Sequence, residues 1–491
     1  MPQTMAPPQR RPWGAVREGF AWAPCRTYYG SHHPPTGPKE TRPLSLQRKI
    51  GPFTAFSVVV ANMIGTGIFT TSGFIVQQVG GAGPLLLCWL LGGIFALCGA
   101  LCYGELGARY PRAGGEYVFL RQSFGPALGF LSGWISLIVG FSAPIAAAAM
   151  ALGAYLQSAL GGAGGAGWQL QAGGLTLLTL SPRVAIALAA IWALSLVHYL
   201  GVVLGGRVQN CLTLLKLAVI AVFAAGGLIW GAGDWSHVDM SFTGAALRPG
   251  GLAIALIFVS FAYSGWNAAA YLGSEIRDPG RNIPRALIWG ALVVCVVYLI
   301  LNLVYLYALP PSAMAGVLEV GGAAAVALFG PGMGRVLSLA IALGLLSVIS
   351  SMVLTGPRVY YAMARDRVFF PALGRVSGQR HTPAAAICLQ AGLASAMVLT
   401  ASFDKLLIYM GFTLSLMTML TVVGLLLIRR RHNETVPAYR TWGYPITPLL
   451  YILGNLWIIG YSVVSRPTAC LTGLVTLAVG LGVYWFFRER K

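Results

Sequence analysis

Val60-Ala61-Asn62-Met63-Ile64-Gly65-Thr66-Gly67-Ile68-Phe69-Thr70 decides how the rest of the chain is read. Gly65 and Gly67 stand in the middle of a run apolar enough to span a bilayer, and glycine is a poor residue for a helix interior. In hydrocarbon, a broken backbone leaves N–H and C=O groups unpaired, each at a cost of several kcal/mol. Such a break persists where it lines a cavity, so Gly-Thr-Gly reads as a helix interrupted to free its backbone for a solute.

The flanking sequence supports a membrane setting. Of 491 residues, 57% are hydrophobic and 9% charged, whereas about a quarter are charged in soluble domains. Taking about 20 apolar residues as one crossing, about twelve spans fall at 51–76, 84–106, 126–158, 183–201, 208–230, 251–275, 285–309, 334–362, 383–401, 404–428, 446–464 and 468–487. The chain reads as an all-α polytopic membrane protein.

The net charge is +20, from 33 Lys+Arg against 13 Asp+Glu. Nucleic-acid binding needs a soluble basic face, but here the basic residues fall at the ends of apolar runs. Arg42, Arg48 and Lys49 precede the first span, and Arg109, Arg112 and Arg121 follow the second. Arg207, the group Arg277, Arg281 and Arg285, the group Arg358 to Arg380, and Arg429-Arg430-Arg431 continue the same side. The alternate connections hold scattered charges such as Asp234, Asp239, Arg248 and Glu319. By the positive-inside rule both termini are expected in the cytoplasm.

Residues 1–48 are rich in Pro, Arg and Gln and lack a continuous apolar segment, so they read as a disordered cytoplasmic tail and not a signal peptide. The eight cysteines form no CxxC pair and read as small buried side chains, with neither a disulfide framework nor a metal site expected. No cofactor and no catalytic residue is expected either. Of six histidines, His198 alone lies at a span's edge, and no Cys or carboxylate cluster accompanies it.

A second interruption lies in Phe258-Val259-Ser260-Phe261-Ala262-Tyr263-Ser264-Gly265-Trp266-Asn267, in the sixth span. Paired discontinuities in corresponding helices of two halves are the sequence pointer to an inverted-repeat transporter. Taken alone, each break could be close helix packing by small residues; the pairing favours the solute reading. Span one runs inward to outward, so the half-helix beyond Gly67 offers N–H groups and a positive dipole end, which suits a carboxylate. Span six runs the other way, and its outer half ends near Phe261–Ser264 with carbonyls that suit an ammonium. Together they describe a site for an α-amino acid zwitterion.

Lys216, in Leu214-Leu215-Lys216-Leu217-Ala218, is a charge deep in a span. Such charges are expensive and mark function, unless the side chain snorkels to the interface. An ammonium there can stand where a sodium ion would otherwise bridge helices, and it suits ion or proton coupling. Phe261, beside the second break, is placed to cover a bound solute. Glu105 and Glu275 are expected to pair with Arg109 and Arg277. Ser350 and Ser351 either carry polar contacts to the core or bond their own backbone.

Ile64-Gly65-Thr66-Gly67-Ile68-Phe69, Cys102-Tyr103-Gly104-Glu105-Leu106-Gly107, Gly114-Gly115-Glu116-Tyr117 and Phe261-Ala262-Tyr263-Ser264-Gly265-Trp266-Asn267 occur in that order, followed by Arg281-Asn282-Ile283-Pro284 and Tyr361-Ala362-Met363-Ala364-Arg365-Asp366. In this the chain resembles the amino acid–polyamine–organocation superfamily from Gly51 to its C-terminus, particularly the L-type amino acid transporter branch and related bacterial permeases. The resemblance implies a LeuT-type fold, with two inverted five-helix repeats at 49–230 and 251–432, discontinuous helices 1 and 6, and two extra helices in 433–491. It implies that Ile64, Gly65, Thr66 and Gly67 hold the substrate carboxylate, with Thr66 close to the amino group and Ile68 among the contacts. Phe261, Ala262 and Ser264 would contact the amino group, with Phe261 as gate. Lys216 matches the lysine that replaces sodium in sodium-independent members.

The stretch Leu160 to Leu180 has no cysteine, where animal members of that branch link a glycoprotein heavy chain, so no disulfide-linked partner is expected. The expectation is a sodium-independent permease for neutral L-amino acids in a bacterial inner membrane, working by alternating access as exchanger or proton-coupled symporter. A basic amino acid or polyamine antiporter is the alternative, disfavoured because no acidic side chain sits at mid-depth near the breaks. An integral membrane enzyme or a transporter-like sensor are the alternatives of another class.

Overall fold

The computed structural model describes residues 45–161, 168–172, 175–242, 249–400, 403–431, 437–465 and 467–489. Residues 1–44 of the expected tail, with Cys25 and Arg42, lie outside the described residues, as does Arg248. The described chain is a multi-pass bundle of apolar helices. Ten are long and apolar enough to cross a bilayer: Pro52–Thr70, Ala82–Arg109, Pro126–Ala159, Pro182–Leu200, Val202–Trp230, Pro279–Ala308, Met333–Arg365, Phe412–Arg431, Ile446–Ser465 and Cys470–Arg488. They occupy ten of the twelve expected positions. The other two hold shorter helices, Pro249–Tyr263 and Ala384–Thr400.

The connections between spans hold structure that the sequence reading did not describe. The connection at 159–182 contains an antiparallel β-hairpin, Trp168–Ala172 with Leu175–Leu180, in which Trp168 faces Leu180. The connection at 310–333 contains the helix Val320–Phe329. Both are segments too short to span, which a 20-residue criterion passes over. The break between the fourth and fifth spans is also narrower than expected: Gly201 (φ +153°) alone separates Leu200 from Val202. Arg207 therefore lies within a helix and not in a loop.

Helix ends follow local chemistry. Pro52 and Pro182 occupy first-turn positions where no N–H is needed, and Ser181 Oγ accepts from Val184 N at 3.3 Å. The third span is continuous but widens to a π-turn over Ser136–Ser142, just before Pro144. A proline inside a helix removes one hydrogen bond and crowds the preceding turn, and the wider turn accommodates it.

The helix Pro52–Met63 packs among Pro279–Ala308, Val202–Trp230 and Met333–Thr355, and eight of its residues are buried. A membrane helix enclosed on all sides by protein can carry the irregular backbone that lipid would not tolerate. The first break lies at its end.

Three carboxylates near the basic connections are paired. Glu275 takes Arg358 Nε at 2.7 Å and Nη2 at 3.0 Å, both side chains buried; the sequence neighbour Arg277, expected as its partner, is replaced by a residue from another span. Glu105 lies 3.8 Å from Arg109 as expected, but its closer partners are Arg429 and the Thr441 backbone N–H, the latter at 2.8 Å. Asp366 accepts from Arg112 at 3.1 Å, from the Tyr117 hydroxyl at 2.9 Å and from Arg121.

Candidate functional site

Both interruptions expected from the sequence are present, and they meet. The first helix ends at Met63, where the Ile64 backbone (ψ +86°) leaves helical geometry. Ile64 N still bonds Val60 O at 3.0 Å, Gly65 N turns back to Met63 O at 2.9 Å, and the helix restarts at Gly67. Among the described residues, no main-chain carbonyl accepts from the N–H groups of Thr66, Gly67 or Ile68. The restarted helix continues through Thr71 into Ser72–Val79. The second helix ends at Tyr263, closes with Ser264 N on Phe261 O at 3.1 Å, and reverses through Gly265 (φ +99°) into a short 3-10 turn, Ala268–Tyr271. The sixth span, expected as far as 275, is thus helical only to its midpoint.

Glycine is required where the two breaks cross. A Cβ on Gly67 would lie 2.7 Å from Ala262 Cα, and one on Gly265 would lie 3.0 Å from the Asn62 backbone. Of the candidate contact residues, Ile64, Gly67, Ile68 and Ala262 are buried, Gly65, Thr66 and Phe261 are half-buried, and Ser264 is exposed.

The freed carbonyls have specific donors. Lys216, from the span Val202–Trp230, is buried and does not snorkel. Its ammonium donates to Ile64 O at 2.5 Å and Ala61 O at 3.3 Å. A cavity of about 20 Å³ beside it, bounded by Ile64, Gly65, Phe69 and Gly344 among others, has room for about one water. Ser351 Oγ donates to Val58 O at 2.9 Å and accepts from Asn62 Nδ2 at 3.0 Å, while Ser350 Oγ is 2.9 Å from His198 Nε2. Both serines therefore carry contacts between helices. Trp266 and Tyr263 serve packing: Trp266 stacks edge-on to Tyr103 at 4.7 Å, and the Tyr263 hydroxyl donates to Trp89 O at 3.0 Å.

Two functional candidates escaped the sequence reading. Tyr298 places its hydroxyl 2.6 Å from Met63 O and 2.9 Å from Ala262 O, touching both breaks. The available signal was Tyr298 and Asn302 at i, i+4, two polar groups on one face of an apolar span. Glu116 was quoted only as part of a motif. Gly114 (φ +114°) and Gly115 (φ +50°) turn the chain so that the Glu116 carboxylate points inward. There it accepts from Tyr103 Oη at 2.9 Å and from Asn267 Nδ2 at 2.6 Å, beside the second break. Burial pushes its carboxyl up to about 7. Among the described residues, no three His, Cys, Asp or Glu side chains gather as metal ligands would.

What the arrangement can do chemically is present a cluster of unpaired N–H groups and a set of convergent carbonyls at one point inside an apolar bundle. Comparison with known proteins agrees with that chemistry. Residues 50–481 match the family described as amino acid permease. The serine/threonine exchanger SteT of Bacillus subtilis is 30% identical over 455 residues, covering 91% of this chain and 98% of that protein. The human b(0,+)-type amino acid transporter 1 is 29% identical over 464 residues, covering 92% and 90% of the two chains. The mouse large neutral amino acids transporter small subunit 2 is 28% identical, covering 90% and 82%. Sequence match, helical membrane architecture and broken-helix geometry converge, and the chain belongs to the amino acid permease family of the amino acid–polyamine–organocation superfamily.

Proposed function

We propose that the protein carries neutral L-amino acids across a bacterial inner membrane without sodium, by alternating access, as exchanger or proton-coupled symporter. The observation that carries this reading is the Lys216 ammonium on the Ile64 and Ala61 carbonyls. A buried fixed cation at the first break already supplies the positive charge that a sodium ion would bring, and repels a second one. The N–H groups of Thr66 and Gly67 would receive the substrate carboxylate, with Ile64, Gly65 and Ile68 around it. Ala262 and Ser264 would receive the ammonium, and Phe261 would close over it.

Glu116 corrects the expectation that no acidic side chain lies near the breaks, since it reaches the second break through Asn267; neutral side chains remain the proposal because its carboxyl is already taken up by Tyr103 and Asn267. In this reading the helices of 49–230 and 251–432 act as two inverted repeats, with 433–491 as the two additional helices and both termini in the cytoplasm. Gly67 lies against Ala262, so the half-helices must part to admit a solute, as alternating access requires.

Proteoliposomes in sodium-free buffer test the proposal. They should exchange or accumulate labelled serine and leucine, and a competition panel of twenty amino acids with agmatine and putrescine should show neutral residues competing best. Dependence on added sodium, or stronger competition by arginine and the polyamines, would overturn it. Lys216→Ala should abolish transport or change its pH response; unchanged rate and pH response would remove Lys216 from coupling.

A further inference from the structure

The ammonium of Lys216 is enclosed without a carboxylate to trade its proton with. Five elements pack against its helix, Val202–Trp230: Pro52–Met63, Pro182–Leu200, Pro279–Ala308, Val320–Phe329 and Met333–Thr355. None of the five carries Asp or Glu. Their arginines, Arg183, Arg281, Arg285 and Arg335, lie in the first two turns. The buried titratable groups they bring are His198, Tyr298, Tyr305 and Tyr307, and the lysine's own helix adds Arg207 and Cys211, both exposed. With no carboxylate to receive it, a proton on Lys216 needs a path to bulk water.

A row of polar groups leads to it. Gln209, Thr213 and Lys216 are spaced i, i+4, i+7 on one helix face, and all three are buried. The Thr213 hydroxyl lies between Gln209 O at 2.8 Å and Ser57 O at 3.4 Å, and the ammonium reaches Ala61 O, one turn beyond Ser57, at 3.3 Å. Gln209 Nε2 donates to Thr213 Oγ1 at 3.0 Å and reaches Ser347 O at 3.4 Å. One turn from Ser347 is Gly344, where a Cβ would lie 3.5 Å from Lys216 Cε. Near the starts of the two helices, half-buried Asn210 donates to half-buried Thr54 Oγ1 at 3.0 Å. Lys216 is nine residues beyond Arg207, a depth of about 13 Å at 1.5 Å per residue.

The row holds oxygens that nothing satisfies. Among the described residues no group bonds Ser57 Oγ, Gln209 Oε1 or Asn210 Oδ1, and Ser57 and Gln209 are fully buried. An unpaired polar atom in an apolar interior is costly, and ordered water relieves it. On the other side of the ammonium lies the small cavity bounded by Gly65 and Ile64. Lys216 therefore stands between the row and the first break.

We propose that the row from Thr54 and Asn210 through Ser57, Gln209 and Thr213 is the path by which Lys216 exchanges its proton with the cytoplasm. The ammonium's N–H bond breaks, and the proton passes to water held by the three oxygens, in line with the Thr213 hydroxyl. It leaves between Thr54 and Asn210, and the neutral amine is reloaded from the side of the first break. The proposal rests on the reading of Lys216 as the coupling group, and it selects proton symport from the two modes named above.

Proteoliposomes test it, with labelled L-serine and L-leucine as probes and two readouts. One is exchange against unlabelled amino acid at equal pH on both sides; the other is accumulation driven by an imposed pH gradient. Wild type should do both. Gln209→Leu and Thr213→Val interrupt the row and leave the two broken helices intact. Each should keep its exchange rate while gradient-driven accumulation falls by at least about tenfold, as when a proton-transfer group is removed. Thr213→Ser restores the hydroxyl and should accumulate as wild type does. Valine keeps the shape of threonine and serine keeps its chemistry, so a packing role predicts the opposite order. Wild-type accumulation in Gln209→Leu and Thr213→Val, a parallel loss of exchange and accumulation, or a Thr213→Ser no better than Thr213→Val would each overturn the proposal. If Gln209→Leu does not fold, the Thr213 pair decides alone. A wild-type chain that exchanges but does not accumulate overturns the path and leaves the amino acid site standing; one that does neither overturns the functional reading, and the path with it.

Discussion

Gly67 and Ala262 touch backbone to backbone at the crossing of the two broken helices: a methyl on Gly67 would lie 2.7 Å from Ala262 Cα and 2.8 Å from its Cβ. Gly67→Ala therefore has to push the half-helices apart. Overpacking of this kind costs about 1–3 kcal/mol, and the variant should melt several degrees lower in detergent. Gly65 is the internal control, because a Cβ there meets nothing within 4 Å. Gly65→Ala should melt like wild type while binding amino acid more weakly, its methyl entering the space beside the unpaired N–H groups. Equal melting of the two variants would show that the close approach at Gly67 does not constrain the fold.

Lys216 donates to two carbonyls of the first broken helix, so its removal acts on structure and transport together. Lys216→Met fills similar space but leaves the Ala61 and Ile64 carbonyls buried without that donor. Each orphaned carbonyl costs about 1–3 kcal/mol. The expected outcome is a lower melting temperature and at least about a tenfold loss of exchange, which corresponds to roughly 1.4 kcal/mol. A variant with wild-type melting and exchange would show that the ammonium is incidental to the break.

The breaks were legible because a glycine pair or a Ser-Gly within an apolar run contradicts its surroundings at single-residue scale. The spans were legible because bilayer thickness fixes their length. What escaped was set by distance along the chain. Tyr298 reaches Met63 across 235 residues, and a tyrosine in an apolar span looks like packing until its hydroxyl's partners are known. Glu275 had Arg277 two residues away, yet its partner is Arg358, 83 residues on. The arginine that reaches a buried carboxylate is the one the packing of the spans delivers, and proximity in sequence does not report it. The hairpin Trp168–Ala172 with Leu175–Leu180 was hidden for another reason: five- and six-residue strands fall below any criterion built on membrane crossings.

Asp366 ties the helix Glu116–Phe124 to the end of the span Met333–Arg365 by accepting from Arg112, Tyr117 and Arg121. Burial pushes its carboxyl up, but the Arg112 and Arg121 guanidiniums and the Tyr117 hydroxyl outweigh that and hold it below the usual carboxylate range. A carboxyl lowered on folding contributes stability that is present above its unfolded value and is lost as pH falls through the folded one. Asp366→Asn should therefore melt a few degrees below wild type at neutral pH. The difference should shrink once the pH drops below about 4, the ordinary aspartate value. A gap that stays constant across the acid range would mean that the charge of Asp366 contributes nothing.

Glu116 gives the opposite sign. Its carboxyl is pushed up to about 7 by burial, partly countered by hydrogen bonds from Tyr103 and Asn267. A carboxyl raised on folding contributes stability that is complete below its unfolded value and is lost as pH rises through the folded one, because the native state then holds a proton that the unfolded chain has released. Melting temperature should therefore fall between about pH 4.5, the ordinary glutamate value, and about pH 7, where the folded carboxyl releases its proton. Glu116→Gln keeps an oxygen to accept from Tyr103 and Asn267 but cannot ionise. It should flatten the profile over that range and match or exceed wild type at its alkaline end. A variant that melts in parallel with wild type from acid to alkaline pH would show that the buried carboxylate does not titrate there, and would remove Glu116 from any pH response of transport.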